Sequence, residues 1–160
     1  MFDAPISPFI ASLPKAELHM HLEGSLEPET IFRLAARNNV RIPYADTDAL
    51  RAAYDFTDLQ SFLDLFYLGL TVLQTGEDFY EMTKAYLDRA ARDRVRHAEV
   101  FVSPQAHRRR GVAMEAVIDN ILRAFDDAAR EHGMSGGLIV GIQRQFDEED
   151  ALSMLRDLRP

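Results

Sequence analysis

Apolar residues recur along this chain at two spacings, one typical of strands and one of helices. Residues 16–22 alternate apolar and polar side chains, which predicts a first strand. Two later runs, 97–102 and 136–142, predict a second and a third strand. The third run is apolar almost throughout, as is typical of parallel strands covered on both faces.

Between and after these strands, apolar side chains recur at the 3.6-residue period of helices. Pro28 suits the first turn of the first predicted helix, and Gly133 suits the end of the fifth. Residues 58–68 are apolar on almost every side, which indicates a helix that is buried or covers something. The predicted helices span residues 28–38, 46–54, 58–68, 77–92, 114–131 and 148–158.

Strands separated by helices are typical of βα units that share one parallel sheet. Three such strands cannot close a barrel, because eight strands with their helices take about 250 residues. The chain has 160 residues. The pattern therefore predicts an α/β fold and leaves two alternatives, a small open sheet or the first part of a longer (β/α)8 barrel.

Composition excludes several classes of function. The chain is 47% apolar and 28% charged, as folded soluble proteins are. A net charge of −8 argues against a nucleic-acid partner, since phosphate contacts need a cationic face. The basic cluster Arg108–Arg110 is expected to be a solvated loop. The absence of cysteine excludes disulfides and thiolate metal sites and suits a reducing compartment.

The sequence also argues against a membrane partner. No apolar run approaches the 18 residues that a membrane-spanning helix needs. The first residues lack the cationic and apolar regions of a signal peptide. We therefore expect a soluble, cytoplasmic protein.

The chemically most informative feature is a pair of histidines at the end of the first predicted strand. His19 and His21 lie two residues apart, so their imidazoles should share one face, with Leu18, Met20 and Leu22 packed behind the strand. Two neutral imidazoles can bind Zn²⁺ at about 2.0–2.1 Å per bond. An isolated pair is also compatible with structural histidines, because two ligands do not complete a tetrahedral site.

Two glutamates are further candidates. Glu23 directly follows the histidines and would either contact a polar group of a substrate or be solvated. Glu99 lies on the second strand, where it would orient metal ligands or form a salt bridge to Arg92 or Arg96.

Three polar segments have simpler interpretations. His107 follows the second strand. It would either approach a bound substrate or be a surface histidine, and we expect the surface histidine. His132, beside Gly133, should interact favourably with the negative end of a helix dipole. Residues 147–150 are acidic and are expected to open the last helix rather than to bind a metal.

The long run LPKAELHMHLEGSL, residues 13–26, resembles the opening segment of the adenosine/adenine deaminases, metal-dependent members of the amidohydrolase superfamily. The resemblance continues through residues 54–56, 62–66, 78–80 and 98–101. It covers nearly the whole chain, but only the N-terminal half of the family's length. It implies a (β/α)8 barrel with one zinc ion, of which residues 1–160 would be the N-terminal portion of one domain.

The resemblance also implies roles for particular residues. His19 and His21 would be the two zinc ligands from the first strand. The helix with Phe62 and Phe66 matches the family's lid over a purine pocket, and Glu23 would contact the substrate. The family's remaining metal ligands and its proton-shuttling glutamate come later in its sequence, so this half supplies no catalytic acid or base.

The activity implied by the resemblance is zinc-dependent hydrolysis of adenine to hypoxanthine and ammonia. Nucleoside deaminases usually carry aspartate where this chain has Glu23 and arginine where it has Phe101, and the turn at residues 103–107 looks more like the free-base branch. The alternatives are an adenosine deaminase, or an inactive truncated product that is missing its C-terminal half or pairs with a separately encoded one. Another amidohydrolase or a metal phosphoesterase fits the opening motif less well.

Overall fold

The computed structural model describes residues 6–158. The expectation about a signal peptide rests partly on residues 1–5, which lie outside the described residues. A 3-10 turn, Leu22–Ser25, follows the first strand. The strands are β1 (Lys15–His21), β2 (Val95–Val102) and β3 (Ser135–Val140). The helices are α1 (Pro8–Ser12), α2 (Pro28–Arg37), α3 (Thr47–Ala52), α4 (Leu59–Thr71), α5 (Gly76–Arg92), α6 (Pro104–Arg108), α7 (Met114–His132) and α8 (Glu148–Asp157).

The three predicted strands and six predicted helices are confirmed, with ends that differ by a few residues. The short helices α1 and α6 were not predicted, because five residues are too few to show a helical period. Both begin with proline, whose fixed φ suits the first helical position. None of the helices in the described part of the chain has the length and apolarity needed to cross a bilayer.

The sheet is parallel throughout, in the order β1-β2-β3. The register places His21 beside Phe101, and Val102 beside Val140, so the carboxyl ends of the strands meet at one edge. Helices α5 and α7 lie between consecutive strands in the chain and pack on one face of the sheet. On that face, Ala98 and Val100 of β2 are fully buried. The opposite face of β2, with Phe101, is only half-buried.

The expected packing of Leu18 behind β1 is wrong, because its side chain is 58% exposed. The pairing of β1 with β2 changes register between Glu17 and Met20. Glu17 accepts a hydrogen bond from Tyr86 of α5 at 2.7 Å, and Met20 packs against the core. Both side chains therefore point towards the helices although they are three residues apart. Because the backbone between them is irregular, Leu18 does not follow the strict alternation of faces and is exposed.

A buried carboxylate joins α2 to the start of α5. Asp78 is fully buried and accepts hydrogen bonds from the amides of Gln74 and Thr75 at 2.9 and 2.7 Å. Arg37 forms an ion pair with it, and Asn38 donates a hydrogen bond at 2.9 Å. Burial by itself raises the pKa of Asp78, but these donors outweigh burial and lower its pKa.

We expect Asp78→Asn to lower the free energy of unfolding by about 2–3 kcal/mol near neutral pH, because a buried acceptor of charge-assisted bonds is lost. A carboxyl whose pKa is lowered by folding stabilises the fold above its unfolded pKa, and this contribution is lost as the pH falls through the folded pKa. The difference from the parent should therefore shrink below about pH 4. Urea unfolding at several pH values measures it. Asp48→Asn, at an exposed position in the first turn of α3, is the control, and a difference that stays constant down to pH 3 would contradict the expectation.

Two neighbouring glycines of β3 provide a second test. A Cβ at Gly136 would lie 2.3 Å from the ring of Phe125 and 2.5 Å from the carbonyl oxygen of Ala98, whereas a Cβ at Gly137 would meet nothing within 4 Å. Gly136→Ala should therefore cost about 1–3 kcal/mol through overpacking. Gly137→Ala should change stability by less than about 0.5 kcal/mol. Equal effects of the two substitutions on urea unfolding would show that β3 does not approach β2 and α7 as described.

Candidate active site

The two histidines of β1 lie side by side at the carboxyl edge of the sheet. The ring centroids of His19 and His21 are 5.6 Å apart, and the ring planes are tilted by 35°. The ring of Phe101 stacks on both, with centroid distances of 4.5 Å to His19 and 5.2 Å to His21. The predicted common face of the two imidazoles is confirmed.

This spacing can be compared with the demands of a metal ion. Two imidazoles on one tetrahedral Zn²⁺, at about 2.1 Å per Zn–N bond, would hold their ring centres about 5 Å apart. The observed separation of 5.6 Å is close to that value. Neutral imidazoles also suit zinc as ligands. The pair therefore fits two of the ligands of a zinc ion.

Of the two alternatives for Glu23, the solvated loop carboxylate is wrong, because only 2% of the residue is exposed. Its Oε1 accepts a hydrogen bond from the amide of Ser103 at 2.6 Å and lies 3.2 Å from Nε2 of His107. Its Oε2 is also buried and has no hydrogen-bond partner among residues 6–158. The contact with Ser103 joins the exits of β1 and β2.

The expectation that His107 is a surface histidine is wrong, because its side chain is fully buried. Pro104 starts α6 directly after β2, and this short helix turns His107 inwards. Phe79 of α5 meets the imidazole edge-on, with centroids 4.7 Å apart. On the other side of the ring, Nη2 of Arg110 lies 2.6 Å from Nδ1.

The prediction of a solvated loop at Arg108–Arg110 is only partly right, because Arg109 and Arg110 are exposed residues of a turn whereas Arg108 is half-buried. Arg108 belongs to α6, and burial lowers the pKa of Arg110. All three guanidinium groups contact other parts of the protein: Arg108 pairs with Asp157 at 3.2 Å, Arg109 lies 4.1 Å from the ring centre of Phe146, and Arg110 donates to the carbonyl of Leu73 at 3.1 Å.

Helix α4 supplies an aromatic wall beside the histidines. Phe62 and Phe66 stack with centroids 6.0 Å apart, and Phe56 meets Phe62 edge-on at 5.2 Å. Phe62 is 39% exposed, whereas Leu65 of the same helix is buried in the core. The apolar side chains on several sides of this helix thus serve both the core and a cleft.

Two spaces adjoin this wall. An inner cavity of about 90 Å³ is lined by Glu23 together with apolar residues of α4 and its surroundings. A wider cleft of about 330 Å³ is lined by His21, Ser103 and Gln143. Phe62 and Phe66 line both spaces. The structure therefore brings together the predicted substrate residues Glu23, Phe62 and Phe66 and places His21 at the neighbouring cleft.

A buried amide that no sequence pattern predicted connects the loops at this edge. Gln105 of α6 is fully buried, donates to Asp150 at 2.6 Å, and accepts a hydrogen bond from the amide of Gln143 at 2.7 Å. Its Oε1 and Nε2 thus tie α6 to the exit of β3 and to α8. The sequence signal that was available is Pro104, which marks the start of a helix where a loop was expected.

The other candidates lie elsewhere or have structural roles. Glu99 is half-exposed, and its contact in the described part of the chain is with Nε2 of His97 at 3.5 Å, not with Arg92 or Arg96. The prediction that the acidic segment opens the last helix is confirmed, because Glu148–Asp157 forms α8.

His132 ends α7 as predicted and also meets two carboxylates. Candidate ligand atoms of Asp88, Glu131 and His132 lie within 4.8 Å of one another. However, the ammonium group of Lys84 lies 2.6 Å from Asp88 and 2.8 Å from Glu131, so the cluster is an ion-pair network. It joins the C-terminal ends of α5 and α7, which precede β2 and β3, and so lies at the sheet edge opposite to His21.

Parallel strands with helices between them, and polar side chains at the carboxyl edge, are shared by βα-barrel enzymes and open α/β sheets. The family model for adenosine deaminase matches residues 14–159, and the chain belongs to that family. The predicted fold class, the N-terminal part of a (β/α)8 barrel, is confirmed by this match and by the solved structures described below.

Curated relatives are named adenine deaminases. The protein of Ralstonia pickettii is 57% identical over 151 residues, which are 94% of this chain and 44% of the relative. That of Ralstonia nicotianae is 56% identical over 160 residues, or 98% of this chain and 46% of the relative. The chain thus spans less than half the length of these relatives.

Two solved structures also match nearly the whole of this chain and less than half of their own length. The adenine deaminase from Arthrobacter aurescens superposes with a TM-score of 0.86 at 50% identity, covering 91% of this chain and 44% of that one. An amidohydrolase from Burkholderia ambifaria with bound Zn superposes with a TM-score of 0.78 at 30% identity, covering 97% of this chain and 44% of that one.

Proposed function

We propose that this chain is the N-terminal portion of the barrel domain of a zinc-dependent adenine deaminase, which hydrolyses adenine to hypoxanthine and ammonia. The observation that carries the proposal is the pair His19 and His21, packed side by side next to a cleft walled by Phe62 and Phe66. The names of the relatives and the zinc ion in the Burkholderia ambifaria structure support it.

In this proposal His19 and His21 would hold the zinc ion from β1. Bound zinc supplies hydroxide at neutral pH, because it lowers the pKa of water to about 7. Phe101 stacks on both imidazoles and restrains their orientation. The remaining metal ligands and the catalytic acid and base would come from the second half of the barrel.

The substrate would lie against α4. Phe62 and Phe66 offer ring faces on which a planar purine can stack. Glu23 offers a buried carboxylate as hydrogen-bond acceptor. Adenine is favoured over adenosine, because the relatives that cover nearly the whole of this chain are named adenine deaminases. A cytoplasmic location and the absence of nucleic-acid and membrane partners belong to the same proposal.

A second candidate is a product without activity of its own. Such a product would need a separately encoded C-terminal half to complete the site, because β1 and β3 are the edge strands of the described sheet.

The metal assignment predicts that His19→Ala and His21→Ala each weaken zinc binding by the chain more than about tenfold, because each removes one of the two imidazole ligands. Competition with a chromophoric chelator measures the affinity. His97→Ala, on β2, and His132→Ala, in the cluster at the opposite edge, are matched controls that should keep the parent affinity. If both controls weaken binding while His19→Ala and His21→Ala do not, the zinc ligands have been assigned wrongly.

In the proposed function, the site is divided between the two halves of the barrel. We therefore predict that the purified 160-residue chain releases no ammonia from adenine or adenosine in the presence of zinc. The reason is that two imidazoles alone provide neither the complete ligand set nor a catalytic acid. A coupled ammonia assay measures this, with the Ralstonia pickettii adenine deaminase as the positive control. Ammonia release by the chain that a chelator abolishes would show that the site is complete without a second half.

A further inference from the structure

The buried contacts of His107 determine which of its ring nitrogens carries the proton. A guanidinium group can only donate hydrogen bonds. Since Nη2 of Arg110 lies 2.6 Å from Nδ1 of His107, that nitrogen must accept. The ring proton therefore resides on Nε2. Phe79, edge-on to the same ring, and the bond from Arg110 to the carbonyl of Leu73 hold this arrangement in place.

With the proton on Nε2, His107 donates to Oε1 of Glu23, which lies 3.2 Å away. The amide of Ser103 donates to the same oxygen at 2.6 Å. Both donors thus use one carboxylate oxygen and leave the other, Oε2, buried without a partner in the described structure. A buried acceptor without a donor is unfavourable because it has lost its hydrogen bonds to water, so a ligand that supplies an N–H group there removes that cost.

The surroundings of Glu23 identify the ligand group that fits. Glu23 lines the inner cavity, whereas His21 lines the outer cleft, and Phe62 and Phe66 belong to both. Adenine has two kinds of donor, its amino group and one azole N–H. In the proposed function the amino group is the one that reacts, so it must lie by the histidines. The donor left for Glu23 is then the azole N–H.

We propose that His107, fixed by Arg110, is a positioning residue that keeps Oε2 of Glu23 available to the azole N–H of a free purine base, and that this contact selects free bases over N9-substituted purines. The proposal rests on the proposed function, because it takes a purine as the ligand. It adds a recognition group, the residue that orients it, and a chemical reason for specificity.

The first test compares two ligands on the unaltered 160-residue chain. Adenine and 9-methyladenine both stack, but the methyl group removes the N9–H donor. Titration followed by the amide NMR signals of Gly24 and Ser103 should show 9-methyladenine binding at least about tenfold more weakly, because Oε2 would stay unpaired. Equal affinities, or no response to adenine, would overturn the proposal.

The second test separates positioning from simple structural support. His107→Gln places an amide donor near the position of Nε2 and should keep the preference for adenine over 9-methyladenine. His107→Leu and Glu23→Gln should bring the ratio of the two affinities close to one. His132→Gln, at the opposite edge of the sheet, is the control and should leave the ratio unchanged. If His107→Leu lowers the affinities for adenine and 9-methyladenine equally, the proposal is wrong and the residue only supports the fold.

A third measurement needs no substitution. Long-range ¹H–¹⁵N spectra of the chain should show His107 protonated at Nε2 and unprotonated at Nδ1, and a ring protonated at Nδ1 would overturn the argument. These readouts are independent of zinc. If the chain does not bind zinc but still prefers adenine over 9-methyladenine, only the metal assignment is wrong. If the chain binds zinc through His19 and His21 but shows no such preference, only this inference is wrong.

Discussion

The parallel pairing of β1 with β2 is the constraint on which the candidate site depends. It sets Phe101 beside His21, so that one aromatic ring stacks on both imidazoles. Just beyond the strand ends, Ser103 donates its amide to Glu23. A shift of one residue in this register would move every side chain of β1 to the other face of the sheet and separate these groups.

The site is also where the fold buries polar groups at a cost. Glu23, Gln105 and His107 are all buried at the carboxyl edge. Most of their polar atoms are paired through backbone amides, Arg110 or Asp150, which keeps the cost small. Oε2 of Glu23 is a buried exception. A network that is otherwise satisfied, with one acceptor left over beside a cavity, is the arrangement expected of a preorganised binding group.

Much of the fold could be predicted because it rests on local periodicity. Strands β1 and β2 and most of the longer helices repeat apolar residues at spacings of two or about 3.6, whereas β3 shows itself as a continuous apolar run. The five-residue helix α6 is too short to show such a repeat, so no pattern in the sequence distinguishes Arg108 from the exposed turn residues that follow it. The prediction for Leu18 failed for another reason: strict alternation ignores the change of register between Glu17 and Met20.

The sequence by itself determined the class of fold, the shared face of His19 and His21, and the apolar character of α4, because these follow from neighbouring residues and one long motif. Only the tertiary structure decided that Glu23 and His107 are buried and in contact. Ser103 and His107 lie 80 and 84 positions after Glu23. Burial at such separations depends on how the strands pair and where the chain turns after β2, which no local pattern specifies.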